Sequence, residues 1–236
     1  MGRAGRTHPL APPALGVLAG SAAAAIALQQ RLDRQCVAAP GPRPRVLVDC
    51  DPALGDPERD DPRRWEEILT EQGRRIAGAG AELLLFTSAA AHTAQPRVER
   101  AVARPVLSRI EAAAEAACRL AGDGAVGILA GPACLDAGLY QWALRRRRRR
   151  VLMSESPPTE EASRVLAALR RRGAAVVIVD LPHLEGAAPA DPLGTPVVDA
   201  AEAQAAAAIA WARGEAPLPG RPHIEPGLLG PASHPG

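Results

Sequence analysis

Several side chains stand where proton-transfer or nucleophilic chemistry is commonly housed. Ser88 follows the apolar run Leu83–Phe86 after one residue and precedes His92 by four, so in a helix the two would share one face. Such a pair offers a nucleophile and its base if an acid orients the imidazole and an oxyanion hole is at hand. The plainer role for Ser88 is a helix cap. Cys134 closes the sequence Gly131-Pro132-Ala133-Cys134 at a loop-to-helix junction. A thiol there gains acidity, or simply fills space as a small side chain. Asp180 ends an apolar run just before Leu181-Pro182, placed either as a carboxylate base or as the cap of a turn. Cys50 lies between Asp49 and Asp51, whose charges oppose thiolate formation. Cys36 and Cys118 fall in helical stretches and read as packing, and His183 and Glu185 read as polar loop groups.

The elements that must position these groups alternate in type. Short β-type runs at 15–18, 45–48, 83–86, 126–129, 150–153 and 175–179 are separated by Ala-rich helical stretches. Those stretches cover 23–32, 62–77, 96–102, 110–120, 135–147, 160–171 and 200–212. Apolar strands spaced by amphipathic helices predict an α/β fold of parallel β-α units with both sheet faces covered. Residues 1–13 and 216–236 are rich in Pro and Gly without periodicity and read as flexible or disordered tails. Pro105 marks a crossover between two halves.

Length and charge narrow the classes further. At 236 residues the chain suits one large domain or two small ones, and 28 basic residues balance 26 acidic ones. Nothing in that balance argues for a nucleic-acid or membrane partner. Every basic residue among the 28 is Arg, and Lys and Asn are absent, as a GC-rich coding sequence would give. The six arginines 145–150 could form a nucleic-acid or polyanion patch, but with no interleaved aromatics and a balanced overall charge they read as the solvated carboxyl end of a helix, where cations suit the dipole. The four cysteines have no metal-like spacing, which points to free thiols in a reducing cytosol and to a cytoplasmic protein. The apolar run after Arg3 and Arg6 is mostly Ala and Gly and continues into charged residues, unlike a signal-peptide core.

Five stretches, in order, carry a family resemblance over roughly residues 14–215. GAGAELLLFTSAAAHTAQPRVERAVARPVLSRIEAA resembles a GAD-strand-CNTAH segment followed by a P-V-L-x-x-I-E element. AVGILAGPACLDAGLYQWAL is similar to V-G-L-L-A-T-x-G-T-x-x-S-G-L-Y. RRRGAAVVIVDLPHL is similar to G-A-D-x-V-I-L-G-C-T-E-L-P, and TPVVDAAEAQAAAAIAWA to a closing P-x-I-D-x-T-x-x-x-A helix. LGVLAGSAAAA matches the opening G-I-L-G-G-M-G-P loop. These are the signatures of the PLP-independent aspartate/glutamate racemase superfamily.

The resemblance implies two pseudo-symmetric α/β lobes, each a short parallel sheet flanked by helices, with the active site in the cleft between them. It divides the chain into a first lobe, 14–103 plus 199–215, and a second, 104–198. It further implies no cofactor or metal, a small carboxylate or amino acid as ligand, and a homodimer. Two thiols on opposite faces of the α-carbon do the chemistry in that family, and both positions differ here. The first cysteine falls on Ser88, its Asn and Thr on Ala89 and Ala90, while Ala91 and His92 match. At the second, Val179-Asp180 runs straight into Leu181-Pro182, so the C-T-E triplet is missing. The carboxylate loop reads Pro132-Ala133-Cys134, without hydroxyls, and Arg59 is the nearest counterpart of a substrate-gripping Arg, two places late. By this mapping Ser88, Asp180 and Cys134 are the catalytic candidates. Ser21, Arg59, Ala89, Ala90, His92, Pro132, Ala133 and Cys134 line the substrate pocket. The expected function is a racemase-family scaffold without two-thiol racemisation, either a pseudoenzyme or a small-carboxylate binder. An isomerase- or decarboxylase-like enzyme with altered residues, and a protein-interaction scaffold, are the alternatives.

Overall fold

Two short strands with nearly the same sequence form the centres of two sheets. β1 (Ala14–Ala19) reads ALGVLA and β4 (Ala125–Ala130) reads AVGILA, each followed by glycine and each buried throughout. The computed structural model describes residues 13–55, 62–153, 162–181, 194 and 196–220. The glycine inside each strand is required by close packing. A methyl at Gly16 would meet the Ala81 Cβ at 2.9 Å and Ile76 at 3.0 Å. One at Gly127 would meet Val177 at 3.0 Å and Leu169 at 3.3 Å.

The first sheet is parallel, in the order β2-β1-β3, with β2 spanning Arg45–Cys50 and β3 Leu83–Phe86. The crossover at 105–107 extends its β3 edge. Leu84 N–H donates to the Pro105 carbonyl, and Leu107 N–H donates to the Leu84 carbonyl, both at 2.9 Å. The second sheet is also parallel, in the order β5-β4-β6-β7, with β5 at Val151–Met153, β6 at Ala174–Asp180 and β7 at Val197–Asp199. Strands buried on both faces are apolar rather than alternating, as β1, β3, β4 and most of β6 are, whereas the edge strand β2 carries Arg45 and Asp49 and is partly exposed.

Helices cover both sheets. Around the first lie α1 (Ala22–Ala38), α2 (Pro62–Gly78) and α3 (Gln95–Val102); around the second lie α4 (Arg109–Ala121), α6 (Leu139–Arg146) and α7 (Ala162–Arg171). The short α5 (Pro132–Asp136) follows β4, and α8 (Ala200–Arg213) packs on both α1 and α4. Ala205, Ala208 and Ile209 of α8 share one apolar core with Leu15, Val17, Leu28 and Leu32.

Four local expectations differ from what is found. The helix expected over 135–147 is broken, because Gly138 takes a left-handed conformation at φ 64° between α5 and α6. β7 has only three residues after a proline, too short for alternation to reveal. The carboxyl tail is ordered further than its composition suggests, since Leu218 packs against the first core and Gly220 lies close to Arg146. The arginine run is less solvated than a helix end alone would make it. Arg146 and Arg147 reach the fully buried Glu111 carboxylate at 2.8 and 2.7 Å, and Arg149 pairs with Asp123 at 3.1 Å.

Candidate functional site

Ligands of open parallel sheets gather at the carboxyl ends of strands. Here those ends are the turns after β1, β3, β4 and β6, and they hold most of the candidate residues. Ser21 follows β1, is exposed, and caps α1 by accepting the Ala24 N–H at 3.2 Å. After β3, Thr87 is buried on the Leu18 carbonyl, and Ser88 is half-buried with no hydrogen-bond partner among the described residues. Ser88 does not cap a helix. The next element is a 3-10 turn, Ala90–Thr93, whose capping residue is Ala89 and which lacks a side-chain cap. Ala89 is buried in the core of the second sheet and Ala90 is half-buried.

His92 is not a ligand-facing residue. Its ring is fully buried beside Phe86, and both nitrogens are taken. Nε2 accepts the backbone N–H of Arg109 at 3.3 Å, so Nδ1 carries the proton and donates it to Gln95 Oε1 at 2.9 Å. Burial pushes this imidazole down to about 3, only partly offset by the bond to Gln95, so it stays neutral. Gln95 donates in turn to the Val106 carbonyl at 3.0 Å and to Glu99. The Ser88–His92 pair of a shared helical face is therefore absent: there is no helix at that point, and the histidine pins the 90–93 turn to the start of α4.

Asp180 neither caps a turn nor stands free as a base. It ends β6 with its carboxylate almost wholly enclosed and both oxygens engaged. Arg109, the first residue of α4, donates to Oδ1 at 3.1 Å, and the Tyr140 hydroxyl of α6 donates to Oδ2 at 2.6 Å. The chain of contacts continues across the fold. Arg109 Nε donates to Gln204 Oε1 at 3.1 Å, and Gln204 of α8 donates to the Phe86 carbonyl at the end of β3 at 3.2 Å. One buried polar network thus joins the carboxyl end of β3 to that of β6, across the two sheets. Burying both charges is tolerable because each is paired and further hydrogen-bonded.

Cys134 belongs to the same neighbourhood and is also unsuited to nucleophilic work. It is buried among Ile128, Tyr140 and Val198 in the second core. Burial pushes its thiol well up, and the nearby Asp180 carboxylate adds to this while Arg109 partly opposes it. Burial and the same carboxylate hold the Tyr140 hydroxyl protonated. Pro132 and Ala133 open α5 and are half-buried. Arg59, His183 and Glu185 lie outside the described residues. Among those described, no group of three or more His, Cys, Asp or Glu side chains is arranged to hold a metal ion. No described helix is long and apolar enough to cross a membrane.

Sequence reasoning missed Arg109, Tyr140 and Gln204, the three partners that decide what Asp180 can do. Arg109 and Tyr140 lie inside recognisable stretches, yet their types carry no signal until the end of β6 is brought to them.

No sequence family and no curated protein matches the chain. Solved structures do. An aspartate racemase homologue from Pyrococcus horikoshii OT3 superposes with a TM-score of 0.70 at 18% identity, covering 84% of this chain and 98% of its own. The aspartate racemase of Picrophilus torridus gives 0.64 at 15% identity, covering 86% and 94%. A glutamate racemase isoform from Bacillus anthracis gives 0.64 at 15% identity, covering 86% and 83%. At these identities the likeness establishes the fold: two lobes with parallel sheets, the architecture of aspartate and glutamate racemases.

Proposed function

We propose that this chain is a divergent member of the aspartate/glutamate racemase superfamily that binds a small carboxylate of the amino-acid class at its strand ends and does not carry out two-base racemisation. One observation carries the reading. Among the described residues at the ends of β3, β4 and β6, the side chains other than Ser88 that could move a proton are already committed: Asp180 to Arg109 and Tyr140, His92 to Gln95 and the Arg109 amide, and Cys134 to the core as a thiol. Racemisation without PLP needs an available base on one face of the α-carbon and an available acid on the other. Ser88, unassisted, is far too weak an acid to supply either. The groups left at the strand ends suit recognition: the Ser88 hydroxyl without a partner among the described residues, the exposed Ser21, and turns lined by small residues.

The test has two arms. In D2O, the α-proton signals of L- and D-aspartate and L- and D-glutamate are expected to persist with the protein present. Exchange that disappears on Ser88→Ala would overturn the proposal. In the second arm, the thermal midpoint is followed against the same amino acids and against malonate. A ligand at ten times its Kd adds about 1.4 kcal/mol, or roughly 4 °C for a domain of this size. No shift with any of these carboxylates at tens of millimolar would remove the binding half of the reading.

A further inference from the structure

β2 is the outer strand of the first sheet: it pairs with β1 on one side and with no strand among the described residues on the other. The Asp51 N–H donates to the Ala19 carbonyl at 2.9 Å. Along a parallel strand these groups point to alternate sides. The N–H and C=O of 45, 47 and 49 therefore also turn to β1, and those of Val46, Val48 and Cys50 turn outward. Pro44, with no N–H to offer, ends the outward row on the amino side. An open row of this kind is a template for another strand.

The surface beside this row is apolar. Five large apolar side chains are exposed among the described residues, and Val48 is one of them. Ile26 and Val37, two others, sit on α1, which turns Leu28, Leu32 and Cys36 to the sheet and ties Arg31 and Gln35 to the start of α8. At about 3.6 residues per turn, Ile26 and Val37 both fall on the flank away from α8. Because α8 also packs on α4, on the β3 side, that flank overlooks β2. Val46 packs into the core under α1, and Val48 alternates to the same face of the sheet. Gathered at one open edge rather than scattered, these apolar groups mark a docking surface.

The strand's own sequence selects the occupant. Arg45-Val46-Leu47-Val48-Asp49 is self-complementary about Leu47. In an antiparallel pair with a two-fold axis at Leu47, Val46 of each copy exchanges both backbone hydrogen bonds with Val48 of the other, using only outward groups. The same alignment sets Leu47 opposite Leu47, and Arg45 opposite Asp49 of the second copy. The charges suit it. Asp49 and Asp51 share one cation, Arg75, at 2.7 and 3.4 Å, so that end of β2 is net negative. Arg45 has no ion pair among the described residues and rests on the Ala79 carbonyl at 3.4 Å. Shifting the pairing so that outward groups still meet sets Leu47 against Arg45 or Asp49, so this register is the one favoured. An unrelated strand carries no such match at every position. We infer that β2 is a homodimer seam: the β2 edges of two copies join antiparallel about Leu47 into one six-stranded sheet, flanked on one face by Ile26 and Val37 of both α1 helices. The seam is independent of any ligand at the strand ends.

Sedimentation velocity of the full chain tests this. At about 20 μM, above the Kd of most interfaces of standard size, the parent is expected at twice its 24.5 kDa. Val48→Pro removes an outward N–H that the single chain does not use, which an edge strand tolerates, yet it deletes two hydrogen bonds of the seam. That variant is expected to be monomeric with an unchanged far-UV spectrum. R45E opposes like charges twice and should raise the dimer Kd about tenfold at low salt. Leu120→Ser alters an exposed apolar group of the second lobe and should leave the Kd within twofold of the parent. L47C/C50S reads the register. Opposite residues of a non-hydrogen-bonded pair lie about 4.5 Å apart, within disulfide reach, so mild oxidation should cross-link this variant and leave C50S alone uncross-linked. A monomeric parent, a Val48→Pro variant that still dimerises, equal losses from R45E and L120S, or L47C/C50S dimers that fail to cross-link would each overturn the inference.

Discussion

Asp180→Ala removes one partner of an ion pair in which Arg109 is 3% and Asp180 7% exposed at the side chain. At 3.1 Å and an effective dielectric of about 20, the direct attraction is about 5 kcal/mol. That figure is not the net worth of the pair, because both charges were desolvated to form it. The relevant cost is that of leaving Arg109 buried without its counter-charge and the Tyr140 hydroxyl without its acceptor, about 3–5 kcal/mol. For a chain of this length the thermal midpoint should fall by about 10 °C. Replacing both partners, as Arg109→Met/Asp180→Leu, removes the orphaned charge and should recover most of the loss. Urea unfolding followed by tryptophan fluorescence measures both, and the coupling between the two sites should exceed about 2 kcal/mol. The Ala variant also leaves a guanidinium facing a small gap, so formate at tens of millimolar should restore part of its midpoint and leave the parent unchanged. A cost under about 1 kcal/mol for Asp180→Ala would refute the reasoning. The pair would then be screened like a surface bridge, and Asp180 would be available as a base.

Further substitutions probe separate contacts. His92 is held near 3 in the folded chain but takes a proton near 6.5 when unfolded, so the unfolded state gains protons first on acidification. Stability from this group is present in full above about pH 6.5 and is lost as pH falls toward 3, by roughly 3 kcal/mol at pH 4. His92→Gln should be less stable at pH 7 yet show a flatter profile between pH 4.5 and 6.5, and an unchanged slope there would count against the buried neutral imidazole. Gly16→Ala and Gly127→Ala each force a methyl into atoms 2.9–3.0 Å away and should cost about 1–3 kcal/mol in urea unfolding; a neutral result would mean that the strand-helix contacts are looser than they look. Ser88→Ala should change stability by less than about 0.5 kcal/mol, because its hydroxyl has no hydrogen-bond partner among the described residues, while reducing any thermal shift produced by a bound amino acid.

The architecture was legible because its signal is local. An apolar run such as Leu83–Phe86 between amphipathic stretches declares a buried parallel strand whatever surrounds it, and six of the seven described strands were read in this way. β7 escaped because three residues cannot display a period, and α5 was merged with α6 because a glycine inside a helical pattern looks tolerable until its φ is known. Both errors lie where backbone conformation, not side-chain pattern, decides the structure.

The site was legible only as a set of positions. Ser88, Cys134 and Asp180 do fall at the ends of strands, but their chemistry is set by neighbours that are 71, 40 and 24 residues from Asp180 in the case of Arg109, Tyr140 and Gln204. A carboxylate at the end of a strand reads as a base when it is considered alone. With a guanidinium on one oxygen and a phenol on the other it becomes a structural tie between α4, α6 and β6. The same reversal applies to His92, whose catalytic-looking spacing from Ser88 gives way to a fixed tautomer between Gln95 and the first amide of α4. Arg109 belongs to both arrangements, through its backbone to His92 and through its side chain to Asp180 and Gln204. The end of β3 and the end of β6, where a two-base enzyme needs separate groups free to exchange protons, are therefore held by one residue into one network. Restoring a cysteine at position 88 alone should for that reason yield no α-proton exchange from aspartate or glutamate in D2O, since it adds one acid/base group and leaves Asp180 engaged by Arg109 and Tyr140.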